Sequence, residues 1–272
     1  MSQKIKSIQL QYQGFSQTPF LWQKKDFFGL EQFENTPIKT STYNAKNLQK
    51  LRLGKLVERF VSFELEQNPS IKILAENIQI KQNNITLGEL DCIFTQQNKP
   101  IHLEIVYKFY LLDTTKKDEL TCWIGPNKQD TLIQKLTKLK KKQLPLLYSA
   151  ECEKYLQSLG LNSSKFKQYV YFKAQLFVPL SHYKPPFSFI TINNQCIYGF
   201  YIKPKQLQQF NNCKFYIPNK HNWLVKPYSH VNWLTFNHFT NAVDVFLDEK
   251  NTPLCWLKKP NGELFKFFII WW

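Results

Sequence analysis

The chain has 272 residues, 43% hydrophobic and 16% aromatic, which is enough to bury a sizeable core and too apolar for a disordered chain. Lys and Arg number 36 against 20 Asp and Glu, and this formal charge of +16 favours polyanionic partners because neutralising phosphates releases counterions. Six cysteines lie singly, with no C-x-x-C pair or histidine companion, which argues against a structural zinc site and for thiols in a reducing cytosol. No apolar run reaches about 18 residues and Met1 to Gly14 lacks an apolar h-region, so a cytoplasmic protein with no membrane span is expected.

Residues 1–43 carry Tyr12, Phe15, Phe20, Trp22, Phe27 and Phe28 without clear periodicity and are expected to wrap onto the core as short helices and loops. From Asn44 to Gln67, Leu53, Leu56, Val57, Phe60 and Phe63 recur at spacings of three and four, a helical pattern that Asn68-Pro69 ends. Three strands are predicted next, Ile71 to Lys81, Ile85 to Thr95 and Ile101 to Leu112. The first turn is Gln82-Asn83-Asn84, where asparagine tolerates positive φ, and the second is Gln96 to Pro100.

A second helix from about Asp130 to Gln143 buries Leu132, Ile133, Leu136 and Leu139 and carries Lys135, Lys138 and Lys142 in a narrow arc elsewhere. Another helix covers Cys152 to Leu159. Strands then dominate at Tyr169 to Val178, Phe187 to Ile192, Ile197 to Ile202 and Cys213 to Ile217, before a closing hairpin at Pro260-Asn261-Gly262. A helix near Phe236 to Leu247 interrupts them, and Leu264 to Trp272 reads as a strand. The expected organisation is a wrapping segment 1–43, a core 44–165 and a β-rich region 166–272 packed on it.

Side chains alternate between the faces of a strand. In the third strand Ile101, Leu103, Ile105, Tyr107, Phe109 and Leu111 share one face, while His102, Glu104, Val106, Lys108 and Tyr110 share the other. In the second, Glu89 and Asp91 share a face, and pairing through the short turn sets Asp91 beside Glu104. Two adjacent carboxylates need a shared proton or a cation, and Mg²⁺ suits them because it takes one or two carboxylates and fills its other positions with water and phosphate oxygens. Lys108 would then orient or help deprotonate the attacking water, or neutralise charge on the phosphorane-like transition state, the logic of phosphodiester hydrolysis. The bland alternative is a buried salt-bridge network.

Glu58 and Glu64 are both candidates for a helix acid facing this site. Glu89 is either a further ligand or a surface acid, and His102 either touches substrate or is structural. Lys135, Lys138 and Lys142 either contact a phosphate backbone or form a solvated face. Trp123 and Asn127 precede that helix, where a loop-to-helix entry offers N–H groups to phosphate or is simply capped. Trp223, Trp233, Trp256, Trp271 and Trp272 are read as core packing, with base stacking the alternative.

The helix with Glu58, the run Gly88-Glu89-Leu90-Asp91 and the run His102-Leu103-Glu104-Ile105-Val106-Tyr107-Lys108 together resemble the PD-(D/E)XK nuclease superfamily over about Asn44 to Leu144. Leu53-Gly54 through Glu58, Lys108-Phe109-Tyr110-Leu111, and Trp123-Ile124-Gly125-Pro126-Asn127 followed by Asp130 resemble a bacterial domain-of-unknown-function family, DUF1853, placed in that superfamily. The resemblance implies a restriction-endonuclease-like α-β-β-β-α-β core in an α/β fold, bound Mg²⁺ (or Mn²⁺), and cleavage of DNA ahead of RNA. It makes Asp91 and Glu104 the metal ligands, Lys108 the catalytic lysine and Glu58 the assisting acid, while the basic stripe of Lys135, Lys138 and Lys142 and the helix entry at Asn127 are the residues read toward nucleic acid. The superfamily's lysine lies two residues after the acid, where this chain has Val106; Lys108 is about 7 Å further along the same face. A Mg²⁺-dependent nuclease is therefore expected, the alternatives being a non-catalytic nucleic-acid-binding protein on the same fold and a structural or partner-binding protein.

Overall fold

The computed structural model describes residues 3–23, 26–34, 42–43 and 51–272. In chain order its elements are α1 (Gln3–Gln17), β1 (Asp26–Phe27), β2 (Leu30–Glu31), α2 (Leu53–Glu66), β3 (Ile71–Gln82), β4 (Ile85–Gln96), β5 (Lys99–Leu112) and β6 (Trp123–Ile124). There follow α3 (Leu132–Lys138), α4 (Ala150–Ser158), β7 (Lys167–Pro179), β8 (Ile197–Ile202), β9 (Lys214–Tyr216), α5 (Phe236–Asp248), β10 (Leu254–Lys258) and β11 (Leu264–Ile269). The class is mixed α/β, with a large mixed sheet. The chain divides into two compact units, one of Trp22–Tyr107 with Gln134–Lys173 and one of Met1–Leu21, Lys108–Ile133 and Ala174–Trp272.

The first unit holds the three-strand meander. β3 and β4 pair antiparallel from Ile71 opposite Gln96 to Gln82 opposite Ile85, and Asn83 takes a φ of 54° in their turn. β4 and β5 are joined by Gln97 and Asn98, at φ of 50° and 63°, the two positive values that a two-residue turn of type I′ requires. Pairing of β4 with β5 runs from Gln96 opposite Lys99 only as far as Cys92 opposite Leu103. Beyond that rung the two strands part, and Asp91 and Glu104 are the next residues on either side. On α2 the stripe Leu56, Val57, Phe60, Val61 and Leu65 is buried. Ile78, Ile80, Leu90 and Ile93 of the meander pack with Leu147, Cys152, Leu156 and Phe166.

One expectation needs correction in this unit. The helix predicted from Asp130 to Gln143 is α-helical only over Leu132–Lys138 and continues as a π turn, Leu139–Gln143, then as a 3-10 stretch, Leu144–Tyr148. Pro145 has no N–H to return to the carbonyl four residues back, so the ladder changes its step there, and the Leu144 N–H reaches Leu139 O instead. On β5 the face of His102, Glu104 and Val106 is buried. The predicted helix start at Asn44 falls outside the described residues, and the helix that is described begins at Leu53.

In the second unit α1 is one helix of 15 residues rather than several short pieces, burying Ile8, Tyr12 and Phe15 among polar neighbours that mask the spacing in sequence. β8 lies parallel to β11, with Lys266 opposite Gly199, and β10 pairs antiparallel with both β11 and β9. α5 covers the cluster of Phe200, Phe215, Phe267 and their neighbours with Phe239 and Val243. The strand expected at Phe187 to Ile192 is absent. Side chains take its backbone groups instead: Asn194 bonds both the N–H and the carbonyl of Phe189, and Glu119 accepts from the N–H groups of Ile190 and Thr191. The C-terminal tryptophans pack against aromatic rings, Trp223 on Phe109 and Phe268, and Trp256 on Tyr216 and Tyr228.

Candidate active site

Where β4 and β5 part, the Ile105 N–H loses its strand partner on that side, and Asp91 Oδ2 accepts from it at 2.8 Å. Glu104, fully buried, stands beside it. Its Oε1 lies 3.1 Å from Nε2 of the equally buried His102. Gln168 Nε2 donates to Leu144 O at 2.7 Å and approaches His102 Nδ1 at 2.9 Å. Nδ1 is thus the acceptor, the ring proton sits on Nε2, and His102 donates it to Glu104. Burial pushes the imidazole down to about 4, so this contact is a hydrogen bond from a neutral ring rather than an ion pair. The other oxygen, Oε2, accepts from Gln143 Nε2, and Gln143 Oε1 accepts from Lys135 Nζ at 2.8 Å.

Burial raises Asp91 to about 7, the charge of Glu104 adds to that, and the Ile105 N–H with Lys135 and Lys55 oppose it. Burial likewise raises Glu104 to about 7, chiefly against the pull of Lys135. Glu58 on α2 is raised to about 7 by burial, against its hydrogen bond from Lys55 and with the charge of Asp91 adding to the rise. Lys55 Nζ donates to Glu58 Oε2 at 2.9 Å and also to Glu89 Oε1 and Asn77 Oδ1. Three acids therefore share one electrostatic neighbourhood, each harder to ionise than in water and each titrating near neutrality.

The family described as Domain of unknown function (DUF1853) matches residues 8–266. The chain belongs to the DUF1853 family. Neither the curated proteins nor the solved structures give a match.

The strand lysine of this DUF1853 chain does not join the acids. Lys108 Nζ lies 2.6 Å from Asp130 Oδ2, and Asp130 also accepts the Gly125 N–H through its main-chain carbonyl. The cations that act on Asp91 and Glu104 come from helices, Lys135 on α3 and Lys55 on α2. Of the two helix acids, Glu64 is buried and accepts from Tyr171 OH at 2.7 Å, while Glu58 is the one coupled to Asp91. Glu89 is held by Lys55. Lys138 and Lys142 are exposed beyond Lys135. Asn127 belongs to the second unit, where its Oδ1 accepts the Thr252 N–H at 2.9 Å.

Gln143 and Gln168 were not candidates from the sequence. Nothing local distinguishes them, and Gln143 lies eight residues after Lys135, a spacing the π turn alters. Lys55 had a signal, three residues before Glu58 on one helix face. Among the described residues no set of three or more His, Cys, Asp or Glu side chains is placed to hold a metal ion. Asp91 and Glu104 are the two acids that the end of the β4–β5 pairing sets side by side in this DUF1853 chain.

Proposed function

We propose that the chain is a divalent-cation-dependent nuclease on a restriction-endonuclease-like core, with Asp91 and Glu104 holding Mg²⁺ or Mn²⁺ and DNA as the preferred substrate. One observation carries the reading: the half-buried Asp91 and the fully buried Glu104 flank the point where β4 and β5 part, and both are raised to about 7. A hard dication suits such a pair, because it offsets burial and mutual repulsion together. When bound, the cation supplies positive charge to phosphodiester oxygens as negative charge builds on them.

The chain's own residues have separate tasks in this reading. His102 and Gln143 orient Glu104, as hydrogen-bonded neighbours orient metal-binding carboxylates generally. Lys135 takes the part the superfamily gives to its strand lysine and meets the phosphate, since Lys108 is engaged by Asp130. Glu58, titrating near 7, exchanges a proton with water at neutral pH. Lys138 and Lys142 and the net charge of +16 draw in the polyanion. The preference for DNA rests on the superfamily resemblance.

A second reading has its own support. Both Glu104 oxygens and Asp91 Oδ2 already accept hydrogen bonds, so the cluster also makes sense as a closed polar network in a protein that binds nucleic acid without cutting it. Incubation of the chain with single- and double-stranded DNA and RNA, in Mg²⁺, Mn²⁺ or EDTA, separates the two. Cleavage is expected only with a cation, to survive Lys108→Ala and to be lost in Lys135→Ala. Salt-dependent binding without cleavage leaves the second reading, and no salt-dependent binding removes both.

A further inference from the structure

Residues of the second unit line a half-open cavity of about 470 Å³, within the size range of small-molecule sites. Lys266 forms part of its wall. This lysine sits in the interior of β11 and is only 1% exposed. Its ammonium donates to Gln175 Oε1 at 2.8 Å and to Trp223 O at 2.7 Å, both neutral acceptors. No carboxylate lies within ion-pairing distance of it among the described residues. A core lysine without a counter-ion is costly, and a leucine or methionine would fill the same strand position at no such cost.

The rest of the wall explains why a cation would be kept there. Among the described residues it contains no aspartate or glutamate. Tyr183, Tyr198 and Phe265 supply rings, Gln17 and Gln195 supply amides, and the exposed Lys226 adds a second positive charge. The Lys266 ammonium lies 5.4 Å from the centre of the Tyr198 ring. Its other contact, the Trp223 carbonyl, immediately precedes Leu224 of the wall.

We propose that this cavity binds a small organic anion bearing a planar or aromatic group, with Lys266 as its buried charge partner and Lys226 as the outer one. The anionic end turns an uncompensated buried amine into a paired one, and the planar end takes the tyrosine and phenylalanine rings. Burial pushes the Lys266 amine well below the usual lysine range, and a bound anion would oppose that fall.

Calorimetric titration of the full chain with benzoate, AMP, adenosine and inorganic phosphate tests this. Benzoate or AMP is expected to bind, with adenosine and phosphate each at least ~10-fold weaker, since each lacks one of the two features. Lys266→Met, which keeps the apolar stem, is expected to weaken binding by ~10-fold or more, and Lys226→Glu by about 10-fold. The exposed Lys226 site keeps the test open should Lys266→Met fail to fold. Asp91→Asn is expected to leave this binding unchanged, which separates the cavity from the carboxylate cluster. The proposal is overturned if neither benzoate nor AMP binds, if adenosine binds as well as AMP, or if both lysine variants bind like the native chain.

Discussion

Asp91→Asn is expected to stabilise the metal-free chain at pH 8 while lowering cation-dependent cleavage by at least ~100-fold. The stability effect follows from the raised carboxyl. Asp91 moves from 3.8 to about 7 on folding, so between these values the folded chain binds the proton and the unfolded chain does not. Stability therefore falls as pH rises through that window. Asparagine keeps an oxygen for the Ile105 N–H and has no charge to lose. The advantage of the variant over the native chain should then grow by roughly 2–3 kcal/mol between pH 5 and pH 8. His102, depressed to about 4, acts in the opposite direction: its cost appears as pH falls below 6.5, and because both chains share it, it cancels in the difference.

Urea unfolding of both chains at pH 5 and pH 8, with and without Mn²⁺, measures this directly. Mn²⁺ should stabilise the native chain at pH 8 and leave the variant unmoved, because only a ligand that binds the folded form shifts the midpoint. If Asp91→Asn destabilises equally at both pH values and Mn²⁺ changes neither chain, the carboxylates are a structural network and the metal site is wrong. Stability and activity moving in opposite directions is what a strained functional site should show.

Phe239→Ala is expected to cost about 3–5 kcal/mol. Phe239 is fully buried on the inner face of α5 and stacks on Phe215 with ring centroids 4.1 Å apart and planes 6° from parallel. Phe267 adjoins it at 6.2 Å, so truncation leaves a hole lined by rings on rigid strands that cannot close in. Val245 of the same helix is 60% exposed, and Val245→Ala should change stability by less than about 0.5 kcal/mol. Chemical denaturation of the two variants decides it. A loss below about 1 kcal/mol for Phe239→Ala would mean that α5 does not seal this core.

The meander was largely legible in the sequence. Alternation across Ile101 to Leu111 marks a strand, asparagines mark the turns, and the observed strands differ from the predicted ones by only a residue or two. The same alternation put Asp91 and Glu104 on one face. It carried no sign that this face would be covered, because Gln143 and Gln168, which cover it, come from segments 39 and 64 residues further along. Nor could it choose between Glu58 and Glu64, since both are ordinary helix acids until Tyr171, 107 residues away, takes one of them. The predicted strand at Phe187 to Ile192 failed for a similar reason: its apolar pattern is real, but side chains from Asn194 and Glu119 hold the backbone that a strand would have paired.

By itself, then, the sequence determined that a helix acid, two strand carboxylates and a strand lysine occur in this order on regular elements. Steric alternation and helical spacing act within a few residues and leave a local trace. Tertiary structure alone decided where the strands part, which leaves Asp91 to take the Ile105 N–H beside a buried Glu104. It also decided that Lys108 goes to Asp130 and that Lys135 reaches toward Glu104 through Gln143. A long lysine is directed by whichever acceptor the fold brings near it, and that acceptor lies at a separation along the chain that no local pattern records.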